Sequence, residues 1–341
     1  MEKHRKNAMI LDIQYMAIGA LKSRRTKILT FGEITQSNIK GVVQMLKFLI
    51  GGSPCTHWSI AQTKNRETLP SGIGWELFKN YLIAKEKFKP DFFLYENNKS
   101  ATQAIKDRIS FELGVPLQYI NSALVSAQNR ERFYAHNFGN VPLPKDRGIT
   151  FQDIMEYDEN ELKKYKVPRT PSRERMWNNG NGKGGLHSCK NITHDKKTCC
   201  LTTKQDRSPN AGLVAFEDFC RYVTVKEAAR LQTLPDDYCR ILTKNQAYKA
   251  LGNGWTAEVI IHLLSYALKG VPKDEEIIVL SMYDGIGTGR YCFDKLGYHN
   301  IKYYAYEIDK YAMRVANSNY EDIIQCGDAF QVREENWRLE Q

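Results

Sequence analysis

Apolar and polar positions follow two rhythms along this chain. "MLKFLIGG" is a short apolar run that ends in paired glycines, the pattern of a buried strand and its turn. "WELFKNYLIAKEKF" instead spaces Trp75, Phe78 and Leu82 three and four residues apart and predicts a helix. "DFFLYEN" returns to a strand, and "TQAIKDRISFELG" places Ile105, Ile109 and Leu113 on one helical face before stopping at Gly114. "PLQYINSALV" predicts another strand. "TVKEAARLQTLP" opens on a capping box, Thr224 and Glu227, and closes at Pro235. The final third alternates helix through His262, strand at Ile277, helix at Arg290, strand at Tyr303, helix at Ala312 and strand at Ile323. Strands alternating with helices predict a mostly parallel sheet covered by helices on both faces.

At 341 residues, with 26% charged and 42% apolar side chains, the chain has room for one large α/β domain and a smaller lobe. The apolar run from Val259 to Leu268 is interrupted by His262 and Ser265 and is too short to span a bilayer. Asp12 breaks the apolar part of the basic N-terminus, so no signal peptide is expected. Eight cysteines at irregular spacings suit reduced thiols in a cytosolic enzyme. The formal charge of +10 is unevenly placed: residues 160–210 hold twelve Lys/Arg against four Asp/Glu, an excess of 12 − 4 = 8. That segment, centred on "WNNGNGKGGLHS", suits a surface that meets phosphates or a solvated insertion, and charge alone leaves both open. His187, Cys189, His194, Cys199 and Cys200 also lie there, but their spacing fits no paired-ligand pattern, and no metal is expected.

Three strand ends in the first half carry chemistry. Cys55 in "GGSPCTHWS" follows two glycines and Pro54, at the carboxyl edge where open α/β sheets bind ligands. A thiol there is a nucleophile if an electropositive pocket surrounds it, and a small buried hydrophobe otherwise. Glu96 ends the apolar strand "FFLYEN", either poised beside a ring nitrogen or exposed at a turn. In "SAQNRERFYAHNF", Gln128, Arg130 and Arg132 alternate, so they share one side of an extended segment.

The last third begins with a different signal. Asp284-Gly285-Ile286-Gly287-Thr288-Gly289 follows a buried strand, but its final glycine comes one residue too early for the dinucleotide fingerprint. Such spacing lets backbone approach an adenosine-bearing ligand that has no pyrophosphate. Glu307 ends the next strand, where an acid binds ribose hydroxyls, and Asp328 ends the one after. The ordered set describes an adenosine pocket, as S-adenosylmethionine enzymes have.

Taken together, these residues resemble the DNA cytosine-5 methyltransferases, most closely the branch that includes the animal de novo enzymes. "GGSPCTHWS" resembles that family's Pro-Cys loop, "LYENN" its Glu-Asn-Val motif and "SAQNRERFY" its Gln-x-Arg-x-Arg motif. "KTCCLTT", "RYVTVKEAARLQTLPDDY", "ALGNGWTAEVIIHLL" and "LSMYDGIGTG" resemble the remaining motifs. The resemblance implies a Rossmann-like S-adenosylmethionine-dependent methyltransferase fold with a small target-recognition lobe. It implies that Cys55 attacks C6 of a flipped cytosine in double-stranded DNA, that Glu96 contacts N3 and the exocyclic amine, and that Arg130 and Arg132 support the covalent intermediate or a nearby phosphate. It also implies a cofactor site of Tyr283, Asp284, Gly285, Gly287, Gly289, Glu307, Asp328, Asn253 and Trp255. A cognate restriction endonuclease that is not a stable subunit is compatible with this, as is a cytoplasmic or other DNA-associated place in the cell. The same motifs leave two rivals: a tRNA cytosine-5 methyltransferase, and an inactive DNA-binding homologue, against which the retained cysteine and glycines argue.

Two departures stand out. Asn98 replaces the valine of Glu-Asn-Val, and the motif order is permuted, nucleophile first and cofactor loop last. The expected divisions are 1–34, 35–150 for the catalytic half, 151–220 for target recognition and 221–341 for the remainder with the cofactor half. Residues 1–34 carry a further signal: Asp12 to Glu33 aligns without gaps on Glu307 to Asp328, with Ile13, Ala17, Ile28 and Gly32 matching Ile308, Ala312, Ile323 and Gly327. A trimmed tandem duplication predicts this, and so does any generic strand-helix-strand unit. The C-terminal copy, which continues from the glycine loop, is expected to serve the cofactor.

Overall fold

A computed structural model describes residues 45–62, 64–168, 170–171, 191–205, 212–216 and 219–339. The Asp12–Glu33 copy and most of the basic 160–210 segment lie outside the described residues.

The chain enters the described fold on β1 (Leu46–Gly51), followed by helix α1 (Gly72–Phe88), β2 (Phe92–Asn98), helix α2 (Gln103–Leu113), β3 (Leu117–Asn121) and β4 (Glu131–His136). Then come two-residue strands β5 (Lys166–Val167), β6 (Val214–Ala215) and β7 (Cys220–Arg221), and helices α3 (Val225–Leu231), α4 (Lys244–Asn253) and α5 (Ala257–Ala267). The cofactor third supplies β8 (Ile277–Met282), α6 (Thr288–Lys295), β9 (Ile301–Tyr306), α7 (Lys310–Asn319) and β10 (Ile323–Gly327).

Seven strands form one sheet in the order β10-β9-β8-β1-β2-β4-β3. Pairing is parallel from β10 through β2, and β4 runs antiparallel to both β2 and β3. The expected mostly parallel α/β sheet is present. Period-2 alternation sorts its side chains into two layers. Leu49, Tyr95, Leu280 and Tyr304 face the α1 and α2 side, where Trp75, Phe78, Tyr81 and Ile105 complete one core. Phe48 points the other way and meets Phe293 of α6 edge to face, ring centroids 5.3 Å apart.

Two expectations are corrected. "PLQYINSALV" is a strand only as far as Asn121; there the Asn121 side chain accepts from Ala123 N–H and turns the chain into a 3-10 turn, Ser122–Leu124. The helix expected through His262 is preceded by a break that separates it from α4, because Gly254 is extended (φ −71°, ψ 167°) and Thr256 starts a new N-terminus. The interruption puts Trp255 on a turn rather than a helix, which matters below.

A separate three-stranded antiparallel sheet, β5-β7-β6, lies between β4 and α3 in the chain. It joins the rest through Arg221 on β7, which is fully buried and forms a bidentate pair with Glu227 of α3 at 2.7 and 2.8 Å. Glu227 also accepts from Thr224 N–H, closing the capping box expected from sequence. Among the described residues no helix is long and apolar enough to cross a membrane.

Candidate active site

The paired glycines before Cys55 have a steric cause. Gly51 sits opposite Met282 on β8 at φ +155°, and a Cβ there would lie 2.3 Å from the Met282 carbonyl oxygen. At Gly52 a Cβ would meet the Glu96 carbonyl at 2.5 Å and Glu96 Oε2 at 3.1 Å. Without side chains the loop drops between β8 and β2 and delivers Cys55 to the carboxyl edge of the sheet. Ser53, Tyr95 and Asn97 then lock it: Ser53 Oγ and Tyr95 OH are 2.7 Å apart, and Asn97 Nδ2 donates to the Ser53 carbonyl at 2.9 Å. Buried Trp58 anchors the far side, with its Nε1 3.2 Å from Glu67 Oε2. Asn98, the polar departure from the family motif, accepts from Ser100 N–H at 2.9 Å and begins a turn, so it needs no apolar packing.

Glu96 is gripped from two directions. Arg132 Nε lies 3.1 Å from Oε1, and Trp255 Nε1 donates to Oε2 at 2.9 Å. The two motif arginines share one side of their segment, as alternation predicts, but their surroundings differ. Arg130 is buried and donates to the carbonyls of Leu201, Gly252 and Gly254 at 3.1, 3.2 and 2.8 Å, tying the turn before α5 to β4. Arg132 reaches the Glu96 carboxylate itself. Gln128 is buried too and holds Leu231 and Leu201.

Burial pushes the Cys55 thiol up; Arg132 and Arg130 pull it back, and Glu96 adds to the rise. A second thiol, Cys200 of "KTCCLTT", lies 3.3 Å from Arg130 Nη1 and 3.9 Å from Arg132 Nη2. Burial works against its ionisation, but the two guanidinium groups outweigh that and bring it below the ordinary thiol value.

The cofactor side uses backbone instead. Glu307 Oε2 accepts from Gly285 N–H at 2.9 Å, while Oε1 accepts from Ile308 and Asp309 N–H at 2.7 Å each. Asp328 caps the following turn through Phe330 N–H. Asp284 is half-buried, accepts from Ser281 Oγ and Tyr303 OH at 2.7 and 2.6 Å, and loss of solvation raises its carboxyl to about 6. Tyr283, in the left-handed region at φ 61°, donates to the Leu77 carbonyl.

All this surrounds one cleft of about 370 Å³. It is lined by Cys55, Glu96, Arg130, Arg132, Asn253, Trp255, Tyr283, Asp284, Gly285, Glu307 and Asp328, eleven of the thirteen residues expected from sequence. Gly287 and Gly289 are the other two. Gly287 caps α6 in the left-handed region, and at Gly289 a Cβ would lie 2.3 Å from Tyr303 OH and 2.5 Å from Ile50 Cδ1. A Cβ at Gly287 would meet Ala316 Cβ and Ile323 Cδ1, each at 3.2 Å, so both positions sit tightly against neighbouring elements. Sequence reasoning missed Lys249 and Asp309, whose ion pair at 2.6 Å joins α4 to α7 at this cleft. Their sequence separation of sixty residues carried no signal.

S-adenosylmethionine suits this cleft. A side chain at Gly285 would project into open space, with nothing within 4 Å and φ at +67°, so bare backbone faces the cleft between Tyr283 and Glu307. The carboxylates of Glu307 and Asp328 stand at successive strand ends beside it. Among the described residues no group of three or more His, Cys, Asp or Glu could hold a metal ion.

The model of the C-5 cytosine-specific DNA methylases matches residues 7–268. The chain belongs to this family. Similar curated proteins are the type II methyltransferase M1.ScrFI of Lactococcus lactis subsp. cremoris, 26% identical over 268 residues that cover 72% of this chain and 68% of that protein. M.FnuDI of Fusobacterium nucleatum is 25% identical, covering 67% of this chain and 78% of its own. M.HpaII of Haemophilus parainfluenzae is 27% identical, covering 66% and 73%. As a C-5 DNA methylase, the protein transfers a methyl group from S-adenosylmethionine to C5 of cytosine in DNA. DNA rather than tRNA is the substrate class.

Proposed function

We propose that this methylase acts on double-stranded DNA through a covalent Cys55 adduct with a flipped base. What carries this is the convergence of Cys55, Glu96 and Arg132 on the cleft that also holds Gly285 and Glu307. A cytosine ring is hidden in the stacked duplex, so attack at C6 requires extrusion into a pocket such as this one. The Cys55 thiol gives its proton to solvent as its sulfur bonds to C6, and the displaced C5–C6 electron pair makes C5 nucleophilic while Glu96 holds N3 and the exocyclic amine. Arg132, paired with Glu96, keeps that carboxylate aimed and balances charge that develops beside it. S-adenosylmethionine supplies an electrophilic methyl group to C5. Loss of the C5 proton and elimination of the Cys55 thiolate then restore the aromatic ring and free the enzyme. Burial raises the Cys55 thiol, and the Arg132 and Arg130 guanidinium groups work against that rise and so favour the thiolate that attacks.

We further infer that the motif order is a circular permutation, on the de novo-type branch. In its support, β8 with the glycine loop lies directly beside β1 with the nucleophile, although 226 residues separate Gly51 from Ile277. The divisions 1–34, 35–150, 151–220 and 221–341 follow from that order, the basic 151–220 segment reading the major groove. The match from residue 7 includes Asp12–Glu33 and stops before Gly285, which suits a second copy of the unit now formed by β9, α7 and β10. Relatives named type II methyltransferases support a modification role beside a cognate restriction endonuclease, for a bacterial or phage-encoded protein in the cytoplasm or otherwise on DNA in the cell.

Sequencing of methylated cytosines in DNA from cells expressing the protein tests all of this. A short recurring methylated site is expected, absent with Cys55→Ser. Methylation that survives Cys55→Ser removes the covalent mechanism.

A further inference from the structure

The sequence groups Trp255 with the cofactor residues, yet its indole N–H is spent on Glu96. We propose that Trp255 is a positioning residue for the base-binding carboxylate, held in place by Arg130; the inference rests on the role of Glu96 proposed above.

Three observations converge. Trp255 Nε1 donates to Glu96 Oε2 at 2.9 Å, while Arg132 Nε takes Oε1 at 3.1 Å. The carboxylate is thus fixed in rotation by one donor from each side. Its third side is closed by Gly52, where even a methyl group would press on Oε2 at 3.1 Å. The Glu96 side chain is only 13% exposed, so a donor removed here is not freely replaced by solvent.

The turn that presents Trp255 is itself immobilised. Arg130 Nη2 bonds the carbonyls of Gly252 and Gly254, and Gln232 Nε2 bonds Gly254 as well, at 3.1 Å. Thr256, the next residue, is buried and bonded to Ser122 Oγ at 2.8 Å. The arginines of one motif therefore serve one carboxylate, Arg132 directly and Arg130 through the Gly254-Trp255 turn. Because Asn253, Gly254 and Trp255 also line the cleft beside Ile286, the element that touches the cofactor side is the one that aims Glu96. A cytosine entering the pocket meets a carboxylate whose remaining lone pairs already point one way, which is preorganisation in the physical sense.

The test separates the N–H from the ring. Trp255 is replaced by β-(3-benzothienyl)alanine, which keeps the bicyclic shape with sulfur in place of N–H, and by Phe in a second variant. Single-turnover methyl transfer to cytosine-containing DNA and direct binding of S-adenosylhomocysteine are measured on both. The expected result is a tenfold to hundredfold slower transfer step, roughly the loss of one hydrogen bond to a charged group, with cofactor-product affinity within about twofold of the parent. An unchanged transfer rate in the benzothienyl variant overturns the proposal. So does weakened S-adenosylhomocysteine binding with the transfer rate at saturation intact, which would return Trp255 to the cofactor. Glu96→Gln is run in parallel: if it too leaves the rate unchanged, the assignment of Glu96 is what fails, whereas a slow Glu96→Gln beside a fast benzothienyl variant sinks this inference alone.

Discussion

On the nucleophile side of the cleft, side chains hold side chains: Arg132 and Trp255 grip Glu96, and Ser53, Tyr95 and Asn97 interlock beneath Cys55. On the cofactor side, side chains hold backbone: Glu307 collects three N–H groups and Asp328 caps a turn. The first arrangement fixes where charges point, which decides a reaction rate. The second fixes the path of the chain around a ligand, which decides an affinity. Substitutions on the two sides should therefore fail in different ways.

The largest separation is expected at Cys55. Cys55→Ser should slow methyl transfer by about a thousandfold or more, because an alcohol replaces the sulfur nucleophile, yet leave S-adenosylhomocysteine binding by calorimetry unchanged. Loss of cofactor affinity in that variant would mean the two sides are not separable. Glu307→Gln is the converse. Its amide can replace only part of the acceptor set that holds Gly285, Ile308 and Asp309, so the dissociation constant should rise about tenfold to a hundredfold. The transfer rate at saturating cofactor should stay within about twofold, and a matching collapse of that rate would break the comparison.

Gly289 probes shape without chemistry. Its substitution by Ala drives a methyl group against Tyr303 OH and Ile50, both buried, so α6 must lift from the sheet. A loss of about 1–3 kcal/mol in urea unfolding is expected. The glycine stands in the motif as though it faced the cofactor, and unchanged stability with weakened cofactor binding would show that it does.

The contrast also governs what the sequence could reveal. The strand and helix order was legible because β1, β2, β8 and β9 are short apolar runs and α2 carries its own Thr102 and Gly114 boundaries. Cys55, Glu307 and Asp328 stood out as candidates because each follows a strand, and Glu96 because it lies near the end of one. The contact of Trp255 with Glu96 was not legible because that partner lies 159 residues away across the sheet, and no local pattern records a contact that only the β2–β4 pairing and the Arg130 staple create. The break at Gly254 was hidden for a related reason. Helical spacing runs through it, and the carbonyl it frees is taken up by Arg130 and Gln232 from elsewhere in the chain.

The smallest effect belongs to Asp284, a half-buried cofactor-side acid that the fold leaves poorly solvated. Its carboxyl rises to about 6 in the fold, chiefly by desolvation, against roughly 3.9 in an unfolded chain. The folded state then binds the proton more tightly than the unfolded one. Its stabilising contribution is fully present below about pH 4, falls as pH climbs towards about 6, and is absent above that. Asp284→Asn keeps an oxygen to accept from Ser281 and Tyr303 while removing the charge. At pH 7.5 the variant should be more stable than the parent by about 1–2 kcal/mol, and by pH 4 the two should coincide, which denaturant melts at both pH values will show. A variant less stable at pH 7.5 would place a compensating donor on the ionised carboxylate. Asp284 would then join Glu307 among the acids that organise the backbone around the cofactor.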